Sequence, residues 1–208
     1  MTKIYITRHG ETVWNRECKY QGHKDSDLTE KGIIGAELLS ERIEEIDIDY
    51  IISSPLGRAY KTAEIVRGNK DIEIIKHEGL KELNLGEFEG MKYEEIKREY
   101  PAILEKIEAD PLNQRYPNGE SLREFYGRVE KALNEILEKY KNKTILIVAH
   151  GGTIKCIEAF VKKSIRVENW IETVVYNCSL SYIEVDENNE VRKVSFNDIS
   201  HLKGTALA

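Results

Sequence analysis

Cysteine is scarce in these 208 residues. The three present, Cys18, Cys156 and Cys178, are far apart and form no CxxC pair. That pattern argues against a disulfide framework and against a zinc site, and it points to a reducing, cytoplasmic setting. Long apolar runs are also missing, and none approaches the roughly 20 residues that a membrane span needs. The amino terminus has no basic-then-apolar leader pattern, which adds to the expectation of a cytoplasmic protein that stays off membranes. An excess of basic charge is lacking too. The formal net charge is −6 with 33% charged residues, which argues against a nucleic-acid partner, because nonspecific binding needs a basic field. A phosphate site in such a chain must be a local cationic pocket. No internal repeat or low-complexity tract is visible.

The length suits one α/β domain with an insertion, or two very small domains. As a single domain over residues 1–208 it buries roughly 70% of its unfolded surface. The strongest local signal is KIYITRHGETVWN at residues 3–15. Residues 3–7 are rich in strand formers and suit a strand buried on both faces of a parallel sheet. It runs directly into Arg8, His9 and Gly10. In open α/β sheets ligands sit at that end of a strand, so a cation and an imidazole there read as an anion site holding a nucleophile or base.

The same grammar recurs. Residues 16–27 read as a loop, and Thr29 as the N-cap of a helix reaching about residue 45, with Ile33, Ala36, Leu38, Leu39 and Ile43 on its apolar face. A strand over 49–54 completes a βαβ unit with parallel strands and a right-handed crossover. It leads into Ser53-Ser54-Pro55-Leu56-Gly57-Arg58, where Pro55 suits a first helical turn. Ala59, Ala63 and Val66 mark the buried face of that helix. Arg58 lies beside this face, in the first turn, where helix dipoles and free N–H groups attract anions. A third strand is expected at 72–75. After it, LKELNLGEFEG carries Glu82, Glu87 and Glu89, with Glu82 between Leu80 and Leu83.

Residues 91–120 read as an insertion of two short helices and a Pro-, Asn- and Gly-containing loop, a helical cap expected to cover the site and define the substrate. Ser121 with Glu124 forms a capping box for a strong helix. Residues 144–149, TILIVA, are the best buried strand, and they end in His150-Gly151-Gly152, mirroring the first strand. His23, His77 and His201 have no such setting and read as ordinary surface or loop residues. Residues 178–185 and 191–196 form an antiparallel hairpin about a DENNE turn, at or near a sheet edge. The tail, 197–208, carries no recognisable chemistry. The expected fold is therefore a three-layer α/β domain: a mostly parallel sheet with helices on both faces, a C-terminal hairpin and the cap.

RHGETVWN resembles the histidine phosphatase superfamily, in the branch that includes cofactor-dependent phosphoglycerate mutases. SSPLGRAYKTA is similar to that family's second signature, and the resemblance runs over nearly the whole chain. It implies that Glu82 is the proton-donating carboxylate and adds Gln21 and Gly22 to the substrate-contacting set. Gly86-Glu87-Phe88-Glu89-Gly90 looks like the run found in phosphatase members. The mutases instead resemble Glu-Arg-His-Tyr-Gly, and Asn84 stands where that histidine would be. Tyr20-Gln21-Gly22 and Leu28-Thr29 resemble α-ribazole phosphatases, but broad-specificity members share them.

Two arginines, two histidines and a glutamate fit a phosphate monoester, whose transfer depends mainly on positioning and cations. Arg8 and Arg58 can grip oxygens with planar forks. His150 is expected to be cationic beside the phosphate and to donate a further bond, with Asn15 and the Gly151 N–H as neutral donors. His9 is then the nucleophile, kept neutral by the two guanidiniums, and Glu82 the acid and then base. The residues call for no metal and no cofactor. The reading is a phosphomonoester hydrolase for a small phosphorylated metabolite, a monomer or small homo-oligomer. The alternatives are a phosphoglycerate mutase and a catalytically dead phospho-ligand binder.

Overall fold

The computed structural model describes residues 1–164, 174–188 and 190–202. Asn189 of the expected turn and residues 203–208 of the tail lie outside the described residues. Six strands form one sheet: β1 (Thr2–Arg8), β2 (Tyr50–Ser53), β3 (Ile74–Lys76), β4 (Thr144–Ala149), β5 (Leu180–Val185) and β6 (Val191–Asp198), in the order β3-β2-β4-β1-β5-β6. The first four are mutually parallel, β5 runs antiparallel to β1, and β6 pairs antiparallel with β5 at the sheet edge. The helices are α1 (Val13–Arg16), α2 (Glu30–Arg42), α3 (Gly57–Arg67), α4 (Tyr93–Glu99), α5 (Pro101–Ala109), α6 (Leu122–Lys139) and α7 (Gly151–Val161). Among the described residues no helix is long and apolar enough to cross a membrane. All three cysteine thiols are free.

The alternation within β4 divides the core in two. Ile145, Ile147 and Ala149 face the cluster built with α6 and α7, while Leu146 and Val148 face the one built with α2 and α3. Neither face is open to water, which is why TILIVA reads as a continuous apolar run. Ser121 and Glu124 make the expected capping box on α6, with Ser121 Oγ accepting the Glu124 N–H at 3.2 Å and Glu124 Oε2 accepting the Ser121 N–H at 2.9 Å. Burial of Phe125, Val129, Leu133, Ile136 and Leu137 on that helix is worth about 1.5–3 kcal/mol per side chain. That exceeds any propensity or capping contribution, so packing docks α6.

Four local expectations need correction. The buried face of α2 is Gly32, Gly35, Ala36, Leu39 and Ile43, whereas Ile33 is 39% exposed and Leu38 half-buried. The helix backs onto the residue after Gly10, where a Cβ on Gly32 would lie 2.1 Å from the Glu11 carbonyl oxygen. A pattern that counts apolar bulk overlooks a face built on glycine. Pro55 lies ahead of the helix rather than in its first turn, because Leu56 is extended (φ −64°, ψ 135°) and α3 begins at Gly57. Val13–Arg16 forms one helical turn, capped by Thr12 and Asn15, so Arg16, expected to open the loop, closes a helix instead. The third strand is displaced to Ile74–Lys76, where it meets Ile51–Ser53 of β2.

Candidate active site

Register brings the two strand-end histidines together. Arg8 of β1 stands opposite Ala149 of β4, so His9 and His150 leave neighbouring strands at the same level. The His9 N–H continues the ladder to the Ala149 carbonyl at 3.0 Å, and the two rings lie 5.2 Å apart. On the other side of β4, the Ser54 N–H bonds the Val148 carbonyl at 2.9 Å, and α3 follows with Arg58 in its first turn. Three adjacent carboxyl ends therefore converge on one point.

A cleft of about 450 Å³ opens there. Arg8, His9, Asn15, Gln21, Gly22, Arg58, Glu82 and Gly151 all line it, so eight of the nine residues singled out from sequence meet in one place. The ninth, His150, is fully buried beside His9. Lys19, Tyr20, Leu83, Leu85, Tyr116 and Lys155 make up much of the remaining wall.

His9 Nδ1 lies 2.7 Å from the Gly10 carbonyl oxygen. A carbonyl only accepts, so that nitrogen carries the proton. Nε2 then presents its lone pair, which accepts the Arg58 Nε–H at 3.3 Å. Burial, then Arg58 and Arg8, hold this imidazole well below its ordinary pKa. The ring is thus neutral as expected, but burial rather than the guanidiniums is the main cause.

His150 is expected to be cationic beside a phosphate, and burial works against that charge. Burial first, then Arg58, His9 and Arg8, push its pKa well below the ordinary value. Its Nε2 lies 2.8 Å from Ser54 Oγ, and that oxygen also accepts the Leu56 N–H. With the Ser54 hydroxyl donating to Nε2, the ring proton sits on Nδ1. His150 Nδ1 and Arg8 Nε are both buried without a hydrogen-bond partner among the described residues. Buried donors without partners cost about 1–3 kcal/mol each; Arg8 lines the cleft, where an anion's oxygens would satisfy its Nε, and His150 lies directly behind, beside His9.

Arg58 differs from the residue expected beside an apolar face. It is itself 3% exposed. Its Nη1 donates to the Lys24 carbonyl at 2.8 Å and to Asp25 Oδ1 at 2.7 Å, and its Nη2 donates to the Gly22 carbonyl at 2.8 Å. The loop folded over it was not visible in a local helical pattern. Asp25 also accepts the Gly57 and Arg58 N–H groups, supplying the cap that Leu56 lacks. Glu82 accepts the Leu83 N–H on Oε1 at 2.9 Å and the Gly152 N–H on Oε2 at 3.0 Å, so the start of α7 orients it. Gly151, the first residue of that 11-residue helix, adds an N–H at a helix N-terminus.

Sequence reasoning missed several contributors. Asn177 donates to the His9 carbonyl at 2.8 Å from 168 positions away. Glu89 is a buried clamp rather than a solvated carboxylate, accepting the His23, Lys24 and Leu85 N–H groups. Nothing in the local sequence marks Asn177. The Gly-flanked run around Glu89 was a signal for a tight turn, but not for its partners. Asn15 uses its side-chain oxygen on the Thr12 N–H and hydroxyl, which leaves its amide nitrogen as the donor for a ligand. Among the described residues no group of three His, Cys, Asp or Glu side chains could hold a metal ion.

The chain is similar to known proteins over nearly its whole length. The family model of the histidine phosphatase superfamily (branch 1) matches residues 4–199. The chain is 32% identical to a probable phosphoglycerate mutase, GpmB, of Erwinia tasmaniensis, over all of this chain and 98% of that one. Among solved structures, YhfR of Bacillus stearothermophilus has a TM-score of 0.90 at 36% identity, covering 98% of this chain and 100% of its own. A phosphoserine phosphatase of Entamoeba histolytica, in complex with 3-phosphoglyceric acid, has a TM-score of 0.82 at 31% identity, covering 97% and 100%. The α-ribazole phosphatase of Shigella flexneri has a TM-score of 0.88 at 25% identity, covering 94% and 96%. With two strand-end histidines, buried guanidinium groups and a family match over nearly its whole length, the chain belongs to the histidine phosphatase superfamily, branch 1.

Proposed function

We propose that this protein is a cytoplasmic phosphomonoester hydrolase that acts on a small phosphorylated metabolite through a phosphohistidine at His9. The observation that carries the reading is the His9 ring itself. It is buried and neutral, its Nδ1 proton is committed to Gly10, and its Nε2 lone pair lines the cleft. A phosphate dianion replaces that nitrogen as the partner of the Arg58 Nε–H, with Arg8, the Gly151 N–H, Asn15 and His150 Nδ1 as further donors. Gln21 and Gly22 form the adjoining wall.

Nε2 attacks phosphorus as the bond to the leaving oxygen breaks, and Glu82 gives that oxygen its proton. Water then attacks the phosphohistidine, Glu82 takes the water's proton, and inorganic phosphate leaves. Positioned acid–base help of this kind is worth about 10²–10⁴-fold. The positive charge comes from guanidinium groups, so no metal or cofactor enters the scheme. We further infer that residues 1–208 act as one domain in which 91–120 cap the site through Tyr116, the cleft residue from that segment. Tyr116 is seated edge-on against Phe88, with ring centroids 5.6 Å apart.

The mutase reading has specific support in the relatives named as probable phosphoglycerate mutases. Against it, Asn84 is spent on a turn, with Oδ1 accepting the Gly86 N–H at 3.0 Å. Single-turnover mass spectrometry separates the two. Glu82→Gln with p-nitrophenyl phosphate should accumulate a phosphoryl group on the peptide holding His9, because that leaving group needs little protonation while water attack loses its base. The wild-type adduct should discharge to water. Discharge to 3-phosphoglycerate in preference to water would favour the mutase, and an adduct on His150 would overturn the roles assigned to both histidines.

A further inference from the structure

The carboxylate of Glu82 sits on an irregular segment between a short 3-10 turn at Glu78–Leu80 and another at Gly86–Phe88. The Leu83 and Gly152 N–H groups hold the carboxylate, but no helix or strand carries the backbone behind it, and an acid must be held within a fraction of an ångström to work. The segment is gripped by a residue that lines a separate groove with Gly79, Lys81 and His23 rather than the cleft. Arg128, on α6, uses all five of its N–H groups. Nη1 donates to the Gly79 and Lys81 carbonyls at 2.9 and 3.0 Å, and Nη2 to the Glu82 carbonyl at 3.0 Å. Nε and the remaining Nη2 proton form a two-point pair with Glu120, each at 2.9 Å.

Glu120 completes the grip. Its Oε2 also accepts the Asn84 N–H at 2.9 Å, and its backbone N–H bonds the Asn84 carbonyl at the same distance. Burial alone would raise the Glu120 carboxyl, but the bonds from Arg128 and Asn84 hold it below its ordinary value, so it is a counter-ion. The pair is 25% and 18% exposed, so water competes weakly for it. A second hand reaches the same carbonyl: His23 Nε2 lies 2.9 Å from the Glu82 oxygen.

We propose that Arg128, paired with Glu120, is a positioning residue for the reaction: it holds the backbone of 79–84 from outside the cleft and so aims the Glu82 carboxylate at the leaving oxygen. A planar fork with five donors suits three carbonyls and one carboxylate in a way that a lysine does not. The inference rests on the reading of Glu82 as the proton donor, and the test separates the two.

The test measures kcat/KM, which reports transfer to His9, for an alkyl phosphate and for p-nitrophenyl phosphate in Arg128→Met, Glu82→Gln and the double variant. Arg128→Met keeps the apolar stem. It should lower kcat/KM for the alkyl ester by about 10²-fold, the cost of a misplacement near 1 Å. The loss for p-nitrophenyl phosphate should be much smaller, and inhibition by inorganic phosphate unchanged, because the His9 pocket is untouched. In the Glu82→Gln background, loss of Arg128 should cost nothing further, since coupled residues are not additive. Equal losses on both esters, or losses that add in the double variant, overturn the proposal and leave Arg128 a purely structural residue. Glu82→Gln alone slowing both esters equally, with Arg128 intact, refutes the acid itself and the proposal with it. If Arg128→Met does not fold, Glu120→Gln carries the same test. It should show a smaller loss confined to the alkyl ester, and a loss shared by both esters overturns the proposal.

Discussion

His9 and His150 show how far a single residue's chemistry departs from its type. Both rings are buried and held neutral, whereas imidazoles in the unfolded chain take up protons below about pH 6.5. Below that pH the unfolded state binds more protons than the folded one, so acid favours unfolding. The contribution is fully present above the unfolded value and is lost as the pH falls toward the depressed folded values. The urea midpoint should therefore drop between about pH 7 and pH 5, and in His9→Asn, which can still donate to Gly10, the drop should be shallower. An identical slope in that variant would contradict the buried, neutral assignment.

At the scale of the element, the loop over residues 20–25 determines what α3 can offer the cleft. Its Gly22, Lys24 and Asp25 oxygens bind the Arg58 guanidinium, and Glu89 holds the loop's own N–H groups. Gly22 is the joint: φ is +55°, and a Cβ there would lie 2.1 Å from Glu89 Oε1. Gly22→Ala should cost about 1–3 kcal/mol of stability, from the left-handed backbone alone. It should also lower kcat/KM by at least about 10-fold, because the carbonyl that bonds Arg58 must move. Thermal melts and steady-state assays check the pair. A protein that melts lower but retains full activity would show that the loop braces the fold without aiming Arg58.

For the whole molecule, the relevant feature is a cationic pocket in an acidic protein. Arg8 and Arg58 provide the charge from inside the sheet edge, beside two neutral histidines. Activity should therefore survive excess EDTA in a phosphate-release assay. Loss of activity that magnesium restores would mean that the guanidiniums are insufficient.

The strands, most helices and the strand-end residues Arg8, His9 and His150 were legible because their signals are local, whereas Gln21, Gly22 and the role of Glu82 came from the family resemblance. An apolar run ending in His-Gly at 149–151 and again at 7–10 marks two buried strands and their carboxyl ends, and Ser121 with Glu124 marks a helix start. The face of α2 was misread because Gly32 and Gly35 carry it without apolar bulk. Only the tertiary structure decided the rest. The Arg8–Ala149 register put two histidines 141 positions apart within ring contact. Full burial of His150 lowers its pKa, since desolvation depends on what packs around a group and not on its neighbours in the chain. The loop folded over Arg58, the reach of Asn177 to His9, and the three bonds from Arg128 to the Glu82 segment join residues with no mutual trace in the sequence, because a hydrogen bond is specified by distance and angle, which only the packed sheet and helices provide.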